Sequence, residues 1–471
     1  MARRRAVMHL PALGLPAVTR FGRVLLVIVA VAFGIRVAYV AIAKSGPCVV
    51  VVNGKRLGSS PSKCLRGDEL FYNAESDYLA NGHGFNEPLT AYTHPGTKAA
   101  PPAADHPPLT VVVLAPVSWL SAHPPLSWVI DEPLADYARE QRYAMVLLGT
   151  LLVGLVGVLG RRIGGDAVGL AAATLAAVSP NIWVNDGLVM SETLTALTVT
   201  AVLLGALWWR DRPSWRRAAI VGAACGLAAL ARVEFLLLVP LLALVFALTL
   251  PRPWAERWKQ ALVVVGAMFI VIGPWVGFNL ARFQDPSFIS TNDGLTLAGA
   301  NCDPVYYGTG TGFWDLDCAA NPPPGDQSVA ANALRRRGLH YAKTHLSRVP
   351  VVLLARVGRA WNAFRPLDAV TLNTGEDRET WVSRLGLVVY YPTMAFAIGG
   401  AVVLWRRRAR AALWALVVPA VIVTLNTMVT YGIPRFRAGA EPALALLAAV
   451  GAVALVRQYR DRTRAEVKVR S

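Results

Sequence analysis

The chain has 471 residues, 55% of them apolar and 16% charged, with a mean hydropathy of +0.44. That excludes a disordered chain and argues against a soluble globular enzyme, in which charged residues usually make up about 25%. Lys and Arg number 47 against 29 Asp and Glu, a net charge of +18; because this charge lies between long apolar runs, it points to membrane topology and not to nucleic acid.

A helical span needs about 20 mostly apolar residues. Ten segments qualify, at roughly 22–43, 143–160, 167–184, 192–209, 217–231, 233–250, 261–280, 385–404, 412–430 and 440–456. The fold class is therefore an all-α integral membrane protein. The run 217–250 is too long for one crossing and is split at Arg232 and Glu234. Residues 109–122 are short, carry Pro116, and read as a re-entrant or surface-lying helix. Ala41-Ile42-Ala43 resembles a signal cleavage site, but the length of the first span and Arg36 within it argue for a retained helix.

Arg3, Arg4, Arg5, Arg20 and Arg23 precede the first span. With ten spans, Arg161–Arg162, Arg210–Arg217, Arg252–Lys259, Arg406–Arg410 and the tail with Arg457, Arg460, Arg462 and Arg464 fall on the same side. The positive-inside tendency makes that side cytoplasmic, with both termini. The chain then divides into a basic segment and first span (1–43), a first outer loop (44–142), spans two to seven (143–282), a second outer loop (283–384), spans eight to ten (385–456) and a basic tail (457–471). Inner loops are too short for a catalytic domain, and no Walker A pattern occurs. Gly308-Thr309-Gly310-Thr311-Gly312 reads as a turn. Cys48 and Cys64 lie in the first loop and Cys302 and Cys318 in the second, which suggests disulfides in an oxidising compartment. Pairing between the loops stays open at this point. An enzyme on this face would meet no nucleotides, so an activated donor would have to arrive attached to lipid.

Several residues could carry chemistry. Asp68-Glu69 open a helical run whose apolar face follows the membrane, and a carboxylate there could act as a general base or simply begin the helix. His106, in Asp105-His106-Pro107-Pro108-Leu109, could bind a phosphate or acceptor, or cap the turn. Glu192 follows Ser191 at the outer end of a span, either a helix start or an ionisable group at membrane depth with a function. Arg232 either pairs with a carboxylate in the bundle or grips a lipid phosphate. Tyr431, Arg435, Arg437 and Glu441 lie between the last two spans, where two outer arginines call for an anionic partner. The Asn292-Asp293-Gly294 and Asn301–Pro304 stretches read as turns. Phe313 and Trp314 could stack on a sugar or anchor the loop. Arg335, Arg336, Arg337, Arg348, Arg356 and Arg359 read as amphipathic helices on an anionic surface.

An ordered set of short motifs resembles the GT-C superfamily of integral-membrane glycosyltransferases. It comprises Asp68-Glu69 with Tyr72, Gly82-His83-Gly84-Phe85, His106-Pro107-Pro108-Leu109, Ser191-Glu192, Leu227 to Arg232, Pro274-Trp275 with Asn279, and Arg435-Phe436-Arg437. The chain is most similar to the branch of the protein O-mannosyltransferases and the lipid A aminoarabinose transferase. Its Arg- and Ala-rich composition is similar to actinobacterial members. The resemblance implies a polyprenyl-phosphate sugar donor. It also implies Asp68 as catalytic base beside Glu69, and Tyr72, His106, Glu192, Arg232, Arg435 and Arg437 as substrate-binding residues. No cofactor beyond the lipid-linked donor is required, and a divalent metal remains open. The expected partners are the bilayer, that donor, and a glycan, lipid or protein acceptor. The chain ends soon after the tenth span, so acceptor recognition is expected from the two outer loops. The rival expectation is a transporter or flippase, or a polymerase, of lipid-linked envelope saccharides.

Overall fold

The structure is a computed structural model that describes residues 19–52, 55–62, 65–88, 100–122 and 138–470. The first helix, Arg20–Ala43, is almost wholly apolar, and Thr19 caps it by accepting from the Gly22 amide at 3.2 Å. Among the described residues, seven helices are long and apolar enough to cross a membrane: Arg20–Ala43, Ala138–Gly164, Glu192–Asp211, Trp254–Arg282, Thr380–Arg406, Arg410–Val429 and the apolar part of Glu441–Arg470. The pair Asp166–Val178 and Pro180–Gly187, bent by 59°, makes an eighth if taken as one broken span. The two remaining apolar segments are shorter. Trp215–Ala231 is a 17-residue helix, and Val233–Leu248 is an irregular run that includes a π-helical turn at Val239–Ala243. Among the described residues, length and composition thus give seven such helices, or eight with the bent pair, and the expected ten spans are not all matched by helices of that length. The break inside the long apolar run falls at Arg232, whose backbone is extended between two helices.

Leu109–Ala122 is a 14-residue helix packed on Asp68–Ala80. A hairpin of Ser45–Val52 with Lys55–Ser62 is a departure from the all-helical expectation. The Asn292-Asp293-Gly294 stretch opens a helix, Asn292–Gly299, in place of the expected turn. Arg356 and Arg359 are buried and do not face an anionic surface. Arg356 donates to the Met428 and Ala300 carbonyls, and Arg359 donates to those of Thr311 and Thr309. The last helix continues unbroken past residue 456 to Arg470.

Both long polar segments gather at one end of the bundle, where Thr291 donates to the Ala104 carbonyl at 2.8 Å and Gln327 to Glu87 at 2.7 Å. The opposite end carries tight turns rich in arginine, where Arg162 pairs with Asp211 and Arg210 donates to Thr249 at 2.8 Å. Cys302 and Cys318 are joined as a disulfide within the second polar segment. Cys64 and the Cys48 side chain lie outside the described residues. Inside the bundle, buried Arg36 pairs with Asp186 at 2.6 Å, and Thr193 donates to the other Asp186 oxygen at 2.7 Å. A side chain at Gly149 would overlap the Asp186 carboxyl, so this helix must pass here as glycine.

Candidate active site

The first turn of the helix Asp68–Ala80 sets the site. Gly67, immediately before it, has φ +57°, a left-handed conformation that glycine adopts without penalty. A Cβ at Gly67 would also lie 2.8 Å from Glu376 Oε2. Successive helical residues point about 100° apart, so the two acids of the first turn face different surroundings. Asp68 looks into a cleft at the polar end and keeps 27% of its side chain exposed. Glu69 turns into the bundle and is fully buried.

Asp68 meets a cation from the far end of the chain. Arg435, in the short turn Pro434–Gly439, donates through Nη2 to Asp68 Oδ2. His106 Nε2 lies 3.5 Å from the same oxygen, while His106 Nδ1 lies 3.1 Å from Asp105. Arg435 also lies beside two further carboxylates, Glu376 at 2.6 Å and Glu192 at 3.5 Å. Glu192 in turn receives Arg232 at 3.4 Å, and Arg232 holds Glu234 at 2.6 Å. The Phe436 ring fills the space between the two arginines, 4.9 Å from Arg232 and 5.8 Å from Arg435. Tyr72 closes the other side, its ring 4.7 Å from that of His106 and its hydroxyl hydrogen-bonded to Ser191.

Electrostatics follow from this geometry. Burial works to raise the Asp68 pKa, but Arg435 and His106 overcome it and hold the carboxyl below its usual range. Burial works to lower the His106 pKa, but Tyr72, Asp68 and Asp105 hold it well above the usual value. Burial pushes the Tyr72 hydroxyl up to about 12. Both shifts favour the charged forms, a carboxylate and an imidazolium. Glu376 moves the other way, raised by burial although Arg435 opposes it.

The structure thus brings Asp68, Tyr72, His106, Glu192, Arg232 and Arg435 into one cluster. Glu69 and Arg437 are elsewhere. Glu69 accepts from the Val189 amide at 2.8 Å and faces Arg142 at 3.5 Å, and burial pushes its carboxyl up to about 7. Arg437 is paired with Glu441 at 2.9 Å, donates to the Ala360 carbonyl at 2.7 Å and packs on the Tyr390 ring. Sequence reasoning missed Glu376. The signal lay in Glu376-Asp377-Arg378-Glu379, four charges directly before an apolar helix. Among the described residues no group of three or more His, Cys, Asp or Glu side chains is set to hold a metal ion. The carboxylates converge on the Arg435 guanidinium instead.

The sequence model of the dolichyl-phosphate-mannose-protein mannosyltransferase family matches residues 136–276, a stretch that contains Glu192 and Arg232. No curated protein sequence matches. The chain is similar in structure to the archaeal oligosaccharyltransferase AglB from Archaeoglobus fulgidus, solved with an inhibitory peptide and a dolichol-phosphate, at 14% identity and TM-score 0.55 over 95% of this chain and 52% of that one. The apo form of that enzyme matches at 13% identity and TM-score 0.55, with the same coverage of each chain. ArnT from Cupriavidus metallidurans, bound to undecaprenyl phosphate, matches at 15% identity and TM-score 0.42 over 92% of this chain and 78% of that one. The chain spans about half the length of the oligosaccharyltransferase it resembles. The fold is thus shared with that oligosaccharyltransferase over most of this chain, while the family model matches under a third of it.

Proposed function

We propose that the chain transfers a sugar from a polyprenyl-phosphate donor to an acceptor hydroxyl on the extracytoplasmic face, with Asp68 as general base. The observation that carries this reading is the Asp68–Arg435 contact. It joins a partly exposed carboxylate to a guanidinium that is 93% buried, at the polar end of a membrane bundle. AglB binds a dolichol-phosphate, and a phosphate of that kind is the natural competitor for Arg435.

A carboxylate locked to a guanidinium is a weak base. A donor phosphate that draws Arg435 towards itself would remove the charge that depresses the Asp68 pKa, so donor binding prepares the base. Asp68 then takes the proton of the acceptor hydroxyl as its oxygen attacks the anomeric carbon. The polyprenyl phosphate leaves with its bonding pair as an anion and needs no proton. One carboxylate suffices, unlike in glycoside hydrolases, where a poor alkoxide leaving group calls for a second. Arg435 and Arg232 offset the charge that develops on the leaving phosphate. Single displacement inverts the anomeric centre.

The test is a panel of polyprenyl-phosphate sugars offered to the purified protein, with a cell-envelope extract as the source of acceptors. Transfer from one donor supports the reading. Vesicle translocation of lipid-linked sugars without transfer or donor hydrolysis would replace it by a transporter.

A further inference from the structure

The sequence leaves open whether Phe313 and Trp314 stack on a sugar or anchor their loop. Both stand beside the site. From the Phe436 ring, between Arg232 and Arg435, a file of rings runs into the second polar segment. The centre of the Tyr431 ring is 4.8 Å from that of Phe436, and Phe313 and Trp314 follow at 6.1 Å and 6.0 Å from Tyr431. The Trp314 and Tyr431 planes differ by only 30°. Phe313, Trp314 and Tyr431 are half-buried. The Tyr431 hydroxyl forms no hydrogen bond among the described residues, although Arg435, Glu376, Asp68 and Arg232 all act on it electrostatically.

The Trp314 ring is fixed at its edge. Its Nε1 donates to the Leu295 carbonyl at 3.4 Å, and a Cβ at Gly299 would come 2.2 Å from that nitrogen. The Asp315 amide donates to the Gly299 carbonyl at 2.9 Å, and the Gly432 amide to the Gly312 carbonyl at 2.8 Å, which ties this loop to the segment that carries Tyr431. The helix Asn292–Gly299 that backs Trp314 starts beside the base, since Asn292 Nδ2 lies 3.4 Å from His106 Nε2. Rings held in this way lose little freedom when a ligand binds. The backbone around them is already committed, because the Thr309 and Thr311 carbonyls accept from Arg359. The wall therefore offers a ligand ring faces and a hydroxyl. An extended peptide calls for backbone partners. A sugar ring calls for an electron-rich face against its C–H side and a polar partner at its rim.

We propose that Trp314 and Tyr431 form the acceptor platform of this site and that the acceptor is a saccharide, its C–H face on the two rings and its reactive hydroxyl turned to Asp68. The role as acceptor rests on the glycosyl-transfer reading; the saccharide site does not.

The test measures binding by the full chain in nanodiscs, with and without undecaprenyl phosphate. The probes are methyl glycosides of the common pyranoses and furanoses, the matching disaccharides, and a threonine-containing peptide. At least one saccharide is expected to bind wild type. Trp314→Leu and Tyr431→Leu are each expected to weaken it about three- to tenfold. Trp314→Phe should fall between, and it covers the case of a misfolded Trp314→Leu. Tyr431→Phe keeps its ring and should lose less than Tyr431→Leu. No saccharide bound by wild type, or wild-type affinity in both leucine variants, would overturn the platform. Binding of the peptide in place of every saccharide would make the acceptor a protein and overturn it too. Saccharide binding that depends on Trp314 in a protein that transfers no sugar would leave the platform standing and remove the glycosyltransferase reading. In an active enzyme, Trp314→Leu is expected to raise the acceptor KM and leave the donor KM. A raised donor KM with an unchanged acceptor KM would assign the rings to the donor sugar and overturn the acceptor role.

Discussion

One guanidinium, Arg435, faces three carboxylates from three separate segments, Asp68, Glu192 and Glu376. An arginine can satisfy only some of these at once, so its position is set by competition and an arriving phosphate can shift it. Another carboxylate forms no ion pair among the described residues. Glu75, two turns after Asp68, is 1% exposed, and its Oε1 has no hydrogen-bond partner among the described residues. Burial pushes its carboxyl up to about 8. The folded state therefore holds the proton more tightly than the unfolded chain. The stability gained from this is fully present below the ordinary carboxyl pKa and is lost as pH rises through about 8. Glu75→Gln should remove that loss and exceed wild type at pH 9 by on the order of 2 kcal/mol, read as a higher melting temperature. A steeper alkaline loss in the variant would contradict this. Asp68 runs the other way. Its depressed pKa adds stability above the ordinary carboxyl range that is lost only in acid, so Asp68→Asn should flatten the acid limb of a stability profile.

At the scale of elements, the apolar runs were legible because membrane thickness fixes their length. The sequence also marks the break at Arg232, since a charged residue interrupts a run too long for one crossing. The acidic pair at 68–69 was visible, but which acid faces the cleft depends on the helical phase that Gly67 sets, and that is a tertiary matter. Gly67→Ala should strain a φ of +57° and drive a methyl against Glu376. It is expected to lower transfer well below wild type through a displaced Asp68, with donor binding changed less; unchanged transfer would contradict this. In the second polar segment the stretches 292–294 and 301–304 read as turns and the arginine-rich stretch as amphipathic helices on an anionic surface; helices Gln327–Thr344 and Val349–Ala360 are there, but not all of their arginines face outwards. Arg356 and Arg359 became internal braces because the loop supplies carbonyls that no strand or helix uses. Reducing the disulfide removes another brace. Cys302→Ser opens a loop with a sequence separation of 16 and should cost about 3 kcal/mol, seen as a lower melting temperature that wild type reproduces under reductant.

Across the whole molecule, the two polar segments are fastened by buried charges distant in sequence. Lys44, at the end of the first helix, lies 2.9 Å from both Asp377 and Glu379, and Arg142 lies 3.5 Å from Glu69 and 3.6 Å from Asp377. Sequence reasoning places these residues in loops but has no means of joining them, because the partners are distant in sequence. The fastening matters for the site, since Glu376 adjoins Asp377. Lys44→Met would remove the cation that Asp377 and Glu379 share and should destabilise the fold by about 3 kcal/mol, with transfer reduced at permissive temperature as Glu376 loses its place. A variant as stable and as active as wild type would show that the charges do not fasten the segments.

The most direct measurement is single-turnover sugar transfer by purified wild type and Asp68→Asn with a saturating polyprenyl-phosphate donor, after equal lipid-phosphate binding by the two has been established. Loss of the base should slow transfer by about 10²- to 10⁴-fold while donor binding persists, because the asparagine leaves Arg435 free for phosphate. Transfer at a near-wild-type rate by a folded Asp68→Asn would contradict the assignment of Asp68 as the base.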